Sequence, residues 1–283
     1  MTTILQLLYA VIIGIIQGVS EWLPISSKTQ IIVASTYLLK LTFQEAYTFG
    51  LFMEIGTTIA AVIYFRKDLV QMLRVLLGSK NIADRRLLVY VVVVTAMTGI
   101  IGAPLYIIAD SLPGIAAGIP MLVIGIVLMG DAGIIRYSRK KRERGTTLRK
   151  LDSLSLKDYV LIGISQGIAA LPGVSRSGIT TSAMLLMEVE PDEAFRLSFL
   201  VGIFASIGAF GISLVASASN VSAAIGGIGL VGLGVAIVVS TVVSLFLIDF
   251  LIKVAGKSKI VYLIAALGII AVATGLLYLA FGI

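Results

Sequence analysis

Hydroxyls and cations crowd two short interruptions of an otherwise apolar chain. Ser26, Ser27, Lys28 and Thr29 lie in PISSKTQ (24–30), and Ser175, Arg176 and Ser177 lie in PGVSRSG (172–178), which closes on Gly178. Both follow one pattern: Pro, two residues, Ser, a cation, then a small hydroxyl residue, with the prolines 148 residues apart. Two cations, several hydroxyls and the free amides of helix N-termini suit a phosphate-like anion. Glu21, one turn before the first break, adds a carboxylate that can serve as general base or hold a divalent ion such as Mg or Ca beside phosphates. Gln17 lies four residues earlier on the same helical face; its amide can bond substrate or loop but cannot take a proton. Glu54 interrupts another apolar stretch and either faces the same cavity or makes an inward helix–helix hydrogen bond. Plainer roles compete. Lys28 and Arg176 can snorkel from helix ends to lipid headgroups, and Glu21 can form an ion pair that only fixes its loop.

These residues need elements to hold them. The chain has 283 residues, 58% hydrophobic and 13% charged, against about 25% charge in a soluble domain. Several nearly charge-free stretches reach the roughly 18 residues a membrane-crossing helix needs. An all-α multi-pass membrane protein follows, whose first apolar stretch is read as part of the mature chain. Cysteine and histidine are absent. Disulfides, thiolate chemistry, histidine bases and His/Cys metal sites are therefore excluded. The net charge of +7 sits in loops between apolar segments, so the expected partners are membrane lipids and not nucleic acid.

Six transmembrane helices are predicted near 48–65, 87–109, 114–135, 197–216, 230–251 and 260–282. Two further regions, about 4–40 and 159–188, break at the polar motifs. Their legs 29–40, 159–171 and 178–188 have 12, 13 and 11 residues, about half the hydrocarbon thickness at 1.5 Å per residue. Each region reads as a re-entrant helix–loop–helix hairpin. Loops 66–86 and 136–158, together with Lys253, Lys257 and Lys259, carry the basic residues and mark the cytoplasmic face. Both termini then lie outside. Asp131 and Asp249 read as interface anchors beside Arg136 and Lys253, the basic run 136–150 as a headgroup-facing loop, and the glycines of 226–234 as helix-packing positions.

An odd number of spans separates the hairpins, so the halves must face opposite ways. GIIQG (14–18) pairs with GISQG (163–167), PISSKT with PGVSRS, and EAYTF (45–49) with EAFRL (193–197). A single integral membrane domain of two inverted-topology repeats is expected, about 1–143 and 149–283.

QGVSEWLPISS followed by LPGVSRSG resembles the undecaprenyl-diphosphate phosphatase family, the bacitracin-resistance type of membrane phosphatase. The resemblance covers nearly the whole chain. It implies two re-entrant hairpins in inverted repeats and removal of the terminal phosphate from a C55 polyprenyl diphosphate at the outer face. It also implies a divalent cation and recycling of the lipid carrier for cell-envelope glycans. By position it makes Glu21 the second glutamate of the family's acidic pair, Ser27 the nucleophilic or substrate-binding serine, and Arg176 the arginine that grips the diphosphate, with Ser175 and Ser177 beside it. Gln17 stands where the family has its first glutamate, Gln30 where it has a histidine, and Lys28 and Thr29 where small residues are usual. Lys28 thereby adds a charge able to neutralise phosphate or displace the metal.

Two functions follow. In a phosphatase, Arg176, Lys28 and the tip amides hold the pyrophosphate, Ser27 or a water attacks, and Glu21 takes the proton. In a lipid carrier, the same site binds a prenyl phosphate and moves it across the bilayer without cleavage. A homodimer is compatible with either. Both require Lys28 and Arg176 to share one pocket.

Overall fold

The computed structural model describes residues 4–111, 118–143, 148–171, 174–216, 218–255, 257 and 260–281. Pro172, Gly173, Lys259 and the Asp131 side chain, all used in the sequence reading, lie outside the described residues.

The described chain is helical: α1 (Ile4–Ser20), α2 (Ser27–Leu39), α3 (Phe43–Tyr64), α4 (Arg66–Leu76), α5 (Ile82–Ser111), α6 (Gly118–Glu143), α7 (Leu156–Ile168), α8 (Arg176–Leu186), α9 (Pro191–Ala216), α10 (Ala218–Ala255) and α11 (Ile260–Phe281). Among the described residues, three stretches are long and apolar enough to cross a membrane: Ile82–Ile108, Pro191–Gly211 and Ile228–Ala255. A fourth span arises if Thr48–Tyr64 and Arg66–Leu76, bent by 73°, are counted together. The outward faces of these helices are apolar: Phe246 is 75% exposed and Val238 62% exposed. Such a surface is solvated by lipid and not by water.

Local chemistry sets the helix starts. A capping box between Thr42 and Glu45 opens α3, with the Thr42 amide 2.8 Å from Glu45 Oε2. Ser155 and Asp158 open α7 in the same way. Pro191 opens α9, followed by Asp192 and Glu193 in its first turn, where their charge complements the helix dipole. Glu45 and Glu193, matched in the sequence repeat, each occupy the third position of their helix.

The helices pair in a regular scheme. α1 packs on α10 and α7 on α5; α3 meets α9, and α6 meets α11. Glycines make close crossings at both of the first two pairings. A Cβ on Gly14 would lie 2.7 Å from the Ala236 carbonyl oxygen, and one on Gly163 would lie 2.8 Å from that of Val94. The outer ends of α7 and α8 converge on Arg149, whose guanidinium reaches Asp158 at 2.6 Å and whose amide donates to the Glu188 carbonyl at 2.9 Å. The larger apolar core gathers around Trp22, which meets Phe199 edge-on at 4.9 Å between ring centroids.

Some expectations are corrected. The basic segment 66–86 contains the helix α4, because Met72 and Leu69 share a face that packs onto the main core while Arg66, Lys67 and Arg74 are exposed. Helix α6 continues through the basic run as far as Glu143, since Lys, Arg and Glu are good helix formers. Gly226 and Gly234 face open space, and Gly229 breaks α10 at φ 74°. That stretch supplies a backbone kink, a conformation glycine adopts without steric cost.

Candidate active site at the meeting of two hairpin tips

The tips between α1 and α2 and between α7 and α8 touch. Ser177 Oγ donates to the carbonyls of Glu21 and Leu23 at 3.2 and 3.3 Å. A Cβ on Gly178 would stand 3.0 Å from Pro24 Cβ, a contact tight enough that any larger residue would push the tips apart by a few tenths of an ångström. The α2 and α8 N-termini, at Ser27 and Arg176, open at this junction. Ser175 caps α8 by accepting from the Gly178 amide at 3.2 Å. Ser26 precedes α2 in a left-handed conformation, φ 57°, with no side-chain cap. That conformation costs a non-glycine residue about 1–2 kcal/mol and is typical of strained functional turns.

One carboxylate organises the junction. Glu21 Oε1 accepts from Arg176 Nη2. Its Oε2 accepts from Ser27 Oγ at 2.6 Å and from Gln17 Nε2 at 3.0 Å. The Arg176 Nη1 donates to the Gly202 carbonyl and, at 2.9 Å, to Ser206 Oγ. Ser206 and Glu54 both line the cavity beside it. The Lys28 ammonium lies 3.9 Å from Glu54 Oε1. Glu54 and Gly202 stand 148 residues apart, the offset that also relates Lys28 to Arg176. Lys28 therefore faces the Glu54 carboxylate, and Arg176 faces the Gly202 carbonyl at the same sequence offset.

A cavity of about 160 Å³ opens beside this network. That is close to the volume of an engineered cavity that admits benzene, about 150 Å³. A compact head group fits; a long prenyl chain does not. Lys28 and Arg176 both line it, with Glu21, Ser26, Ser27, Glu54, Ser175 and Ser206. Small residues of α5 and α9, among them Gly99, Gly102, Ala103, Ala205 and Ala209, make up the apolar part of its wall.

Five residues expected at the site stand behind the wall. Gln17 supports Glu21. Thr29 bonds Ser26 at 3.0 Å, and Gln30 Nε2 donates to the Ile25 carbonyl at 3.3 Å. Ser177 and Gly178 join the tips. The sequence reading also passed over wall residues. Gln166, which repeats Gln17 in GISQG, donates to Thr98 Oγ1 at 3.1 Å and lines the cavity with it; the matched glutamines were the available signal. Ser206 lies in an apolar helix with nothing local to mark it.

The divalent cation implied by the resemblance was tested against these donors. Both Glu21 oxygens already accept from arginine, serine and amide donors, and the Gln17 amide points hydrogens where a metal needs lone pairs. Among the described residues no cluster of three or more acids, histidines or cysteines gathers. Even where water and substrate phosphates supply most ligands, a hard divalent ion needs one or two carboxylates with open lone pairs, and the two in this wall, Glu21 and Glu54, are each paired with a cation. The residues present do not fit one.

Comparison with known proteins extends the picture. A relative from Saccharolobus solfataricus, named "Undecaprenyl-diphosphatase", is 47% identical over 272 residues, 96% of each chain. One of the same name from Sulfurisphaera tokodaii is 46% identical across 96% of this chain and 98% of its own. Another, from Pyrobaculum aerophilum, is 38% identical over the same shares. The family described as "Bacitracin resistance protein BacA" matches residues 10–273. That match takes in both hairpin tips and nearly all the helices packed around them, and the chain belongs to the BacA family.

Proposed function

We propose that the protein removes the terminal phosphate of a polyprenyl diphosphate of the undecaprenyl type and so returns a lipid carrier to use. The observation that carries this reading is the hydrogen-bonded line Ser27–Glu21–Arg176, running across both tips at the cavity. A nucleophile, its base and the group orienting that base stand in sequence, the arrangement covalent catalysis requires. The names of the relatives support hydrolysis. A carrier that only moved its lipid would have no use for a serine held on a carboxylate.

The mechanism follows from the contacts. The prenyl chain leaves along the small residues of α5 and α9 while Lys28, Arg176 and the N-termini of α2 and α8 hold the diphosphate. The Ser27 oxygen bonds the terminal phosphorus and passes its proton to Glu21 Oε2. The bridging P–O bond breaks and prenyl monophosphate leaves with the proton that Glu21 had taken. Water then attacks the phosphoserine and gives one proton to the regenerated Glu21 carboxylate; the Ser27 Oγ–P bond breaks, Glu21 returns that proton to Ser27 Oγ, and inorganic phosphate departs. The cations stabilise charge building on the equatorial and leaving oxygens, the main requirement of phosphoryl transfer.

The architecture suited to this is six spans and two re-entrant hairpins in inverted repeats, about 1–143 and 149–283. Exchange of the halves turns the α1–α10 pairing into α7–α5 and leaves α3–α9 and α6–α11 unchanged. The convergence of α7 and α8 on Arg149 supports a hairpin that enters and leaves on one side. The basic segments 66–86 and 136–158 face the cytoplasm, both termini lie outside, and a homodimer is compatible with this arrangement.

Phosphate release from farnesyl and undecaprenyl diphosphates by the purified chain tests the reading. Release by wild type and not by Ser27→Ala or Glu21→Gln supports it. Transbilayer movement of a labelled prenyl phosphate in liposomes, without release, overturns it.

A further inference from the structure

We propose that Lys28 is the fixed counterion of the diphosphate head and that the reaction runs without a bound divalent metal. This deepens the phosphatase reading and rests on it. Glu21 and Glu54 are the carboxylates of the cavity wall, and each is matched by a cation, Arg176 for Glu21 and Lys28 for Glu54. A divalent ion bridging the two acids would stand against both cations. Like charges repel, and more strongly in a partly desolvated pocket than in water.

Lys28 is also differently placed from Arg176. The arginine is anchored by Glu21, Gly202 and Ser206. The lysine ammonium is 3.9 Å from Glu54 Oε1, too far for a hydrogen bond. Its one described ion pair leaves its three donors to the cavity. A lysine ammonium is a compact point charge suited to phosphate oxygens. It sits on the second residue of α2, in the first turn that carries the helix's free amides. The buried Gln17 Oε1 has no protein partner but lies behind Glu21, off the cavity wall, and so adds no ligand facing the substrate.

The experiment uses full-length protein in detergent, with farnesyl diphosphate as substrate and inorganic diphosphate as binding probe. Metal content is measured after EDTA treatment. The expected results are no stoichiometric metal and turnover in EDTA within about twofold of that with Mg²⁺ or Ca²⁺. Lys28→Gln should lower kcat/KM in EDTA by about a hundredfold, the scale of losing one transition-state donor, while Lys28→Arg retains most of it. Thermal stabilisation by inorganic diphosphate in EDTA should disappear in Lys28→Gln and persist in Lys28→Arg. Turnover that collapses in EDTA and returns with metal would overturn the inference and leave the phosphatase reading standing. So would undiminished diphosphate binding by Lys28→Gln. No release above Glu21→Gln under any metal condition would overturn both.

Discussion

Ser27 Oγ donates to Glu21 Oε2 at 2.6 Å, across a turn that forces Ser26 into a left-handed conformation. The pair acts as a unit, so its loss should not be additive. Ser27→Ala and Glu21→Gln should each reduce turnover by about 10²- to 10⁴-fold, the span expected for a positioned base. The double variant should be scarcely worse than either single one. Steady-state phosphate release by the three variants checks this; effects that multiply would separate the two residues.

Removing Arg176 is a different experiment. It strips a buried carboxylate of its ion-pair partner and opens the joint between the tips. Breaking such a pair from one side costs about 3–5 kcal/mol. Arg176→Ala should therefore lose activity and melt well below wild type in the same detergent, whereas Ser27→Ala should melt close to wild type. Equal melting temperatures for both would mean that Glu21 finds another partner.

Gly202 offers a milder handle on the same contact. A Cβ there would come within 2.8 Å of Arg176 Nη1 and 3.1 Å of its Cζ. The obstructed group is the end of a flexible side chain, and alanine favours the helix, so Gly202→Ala should fold with little change in stability. The guanidinium must shift, though, and misplacement of about 1 Å can cost a hundredfold in rate. A drop in kcat/KM with an unchanged melting temperature is the expected signature.

How much of this was legible in the sequence depends on the kind of residue. Lys28 and Arg176 announced themselves because a cation inside an apolar segment is costly and needs a purpose. The repeated offset tied them to one another and, through EAYTF and EAFRL, to equivalent helix starts. The pairing of Lys28 with Glu54, and of Arg176 with Gly202, was not legible, because it depends on how α2 packs on α3 and α8 on α9. Ser206 and Thr98 were missed for a related reason: a hydroxyl in a spanning helix usually satisfies itself on its own backbone, and sequence does not reveal which one also faces a cavity. The amphipathic α4 was hidden by its charges, which read as a loop until Met72 and Leu69 are seen to share a buried face.

Outside the apolar spans, Asp158 gives a prediction in pH. Burial pulls its carboxyl upward, but hydrogen bonds from Arg149 and from the Ser155 amide and hydroxyl, with the charge of Arg149, outweigh this and hold it at about 2 against an ordinary 3.8. A carboxyl depressed by folding stabilises the protein above its unfolded value, and that contribution is lost as pH falls toward the folded value. The Asp158 contribution should thus be present at neutral pH and fade between about pH 4 and pH 2. Melting temperatures across that range should fall less steeply for Asp158→Asn than for wild type, from a lower neutral value. Parallel curves would remove Asp158 from the acid response.

The paired glycine crossings bear on the repeat itself. A Cβ on Gly163 would lie 2.6 Å from Met97 Cβ and 2.8 Å from the Val94 carbonyl oxygen; one on Gly14 would lie 2.8 Å from Val239 Cβ and 2.7 Å from the Ala236 carbonyl oxygen. In both cases the obstruction includes backbone, which cannot swing aside, so the helices must separate. Overpacking of this kind costs about 1–3 kcal/mol. If the halves are built alike, Gly14→Ala and Gly163→Ala should destabilise by similar amounts. Gly130→Ala, whose Cβ would meet open space, should be neutral or slightly stabilising. Detergent melts of the three variants decide the matter: a large cost at one crossing and none at the other would break the equivalence of the α1–α10 and α5–α7 pairings.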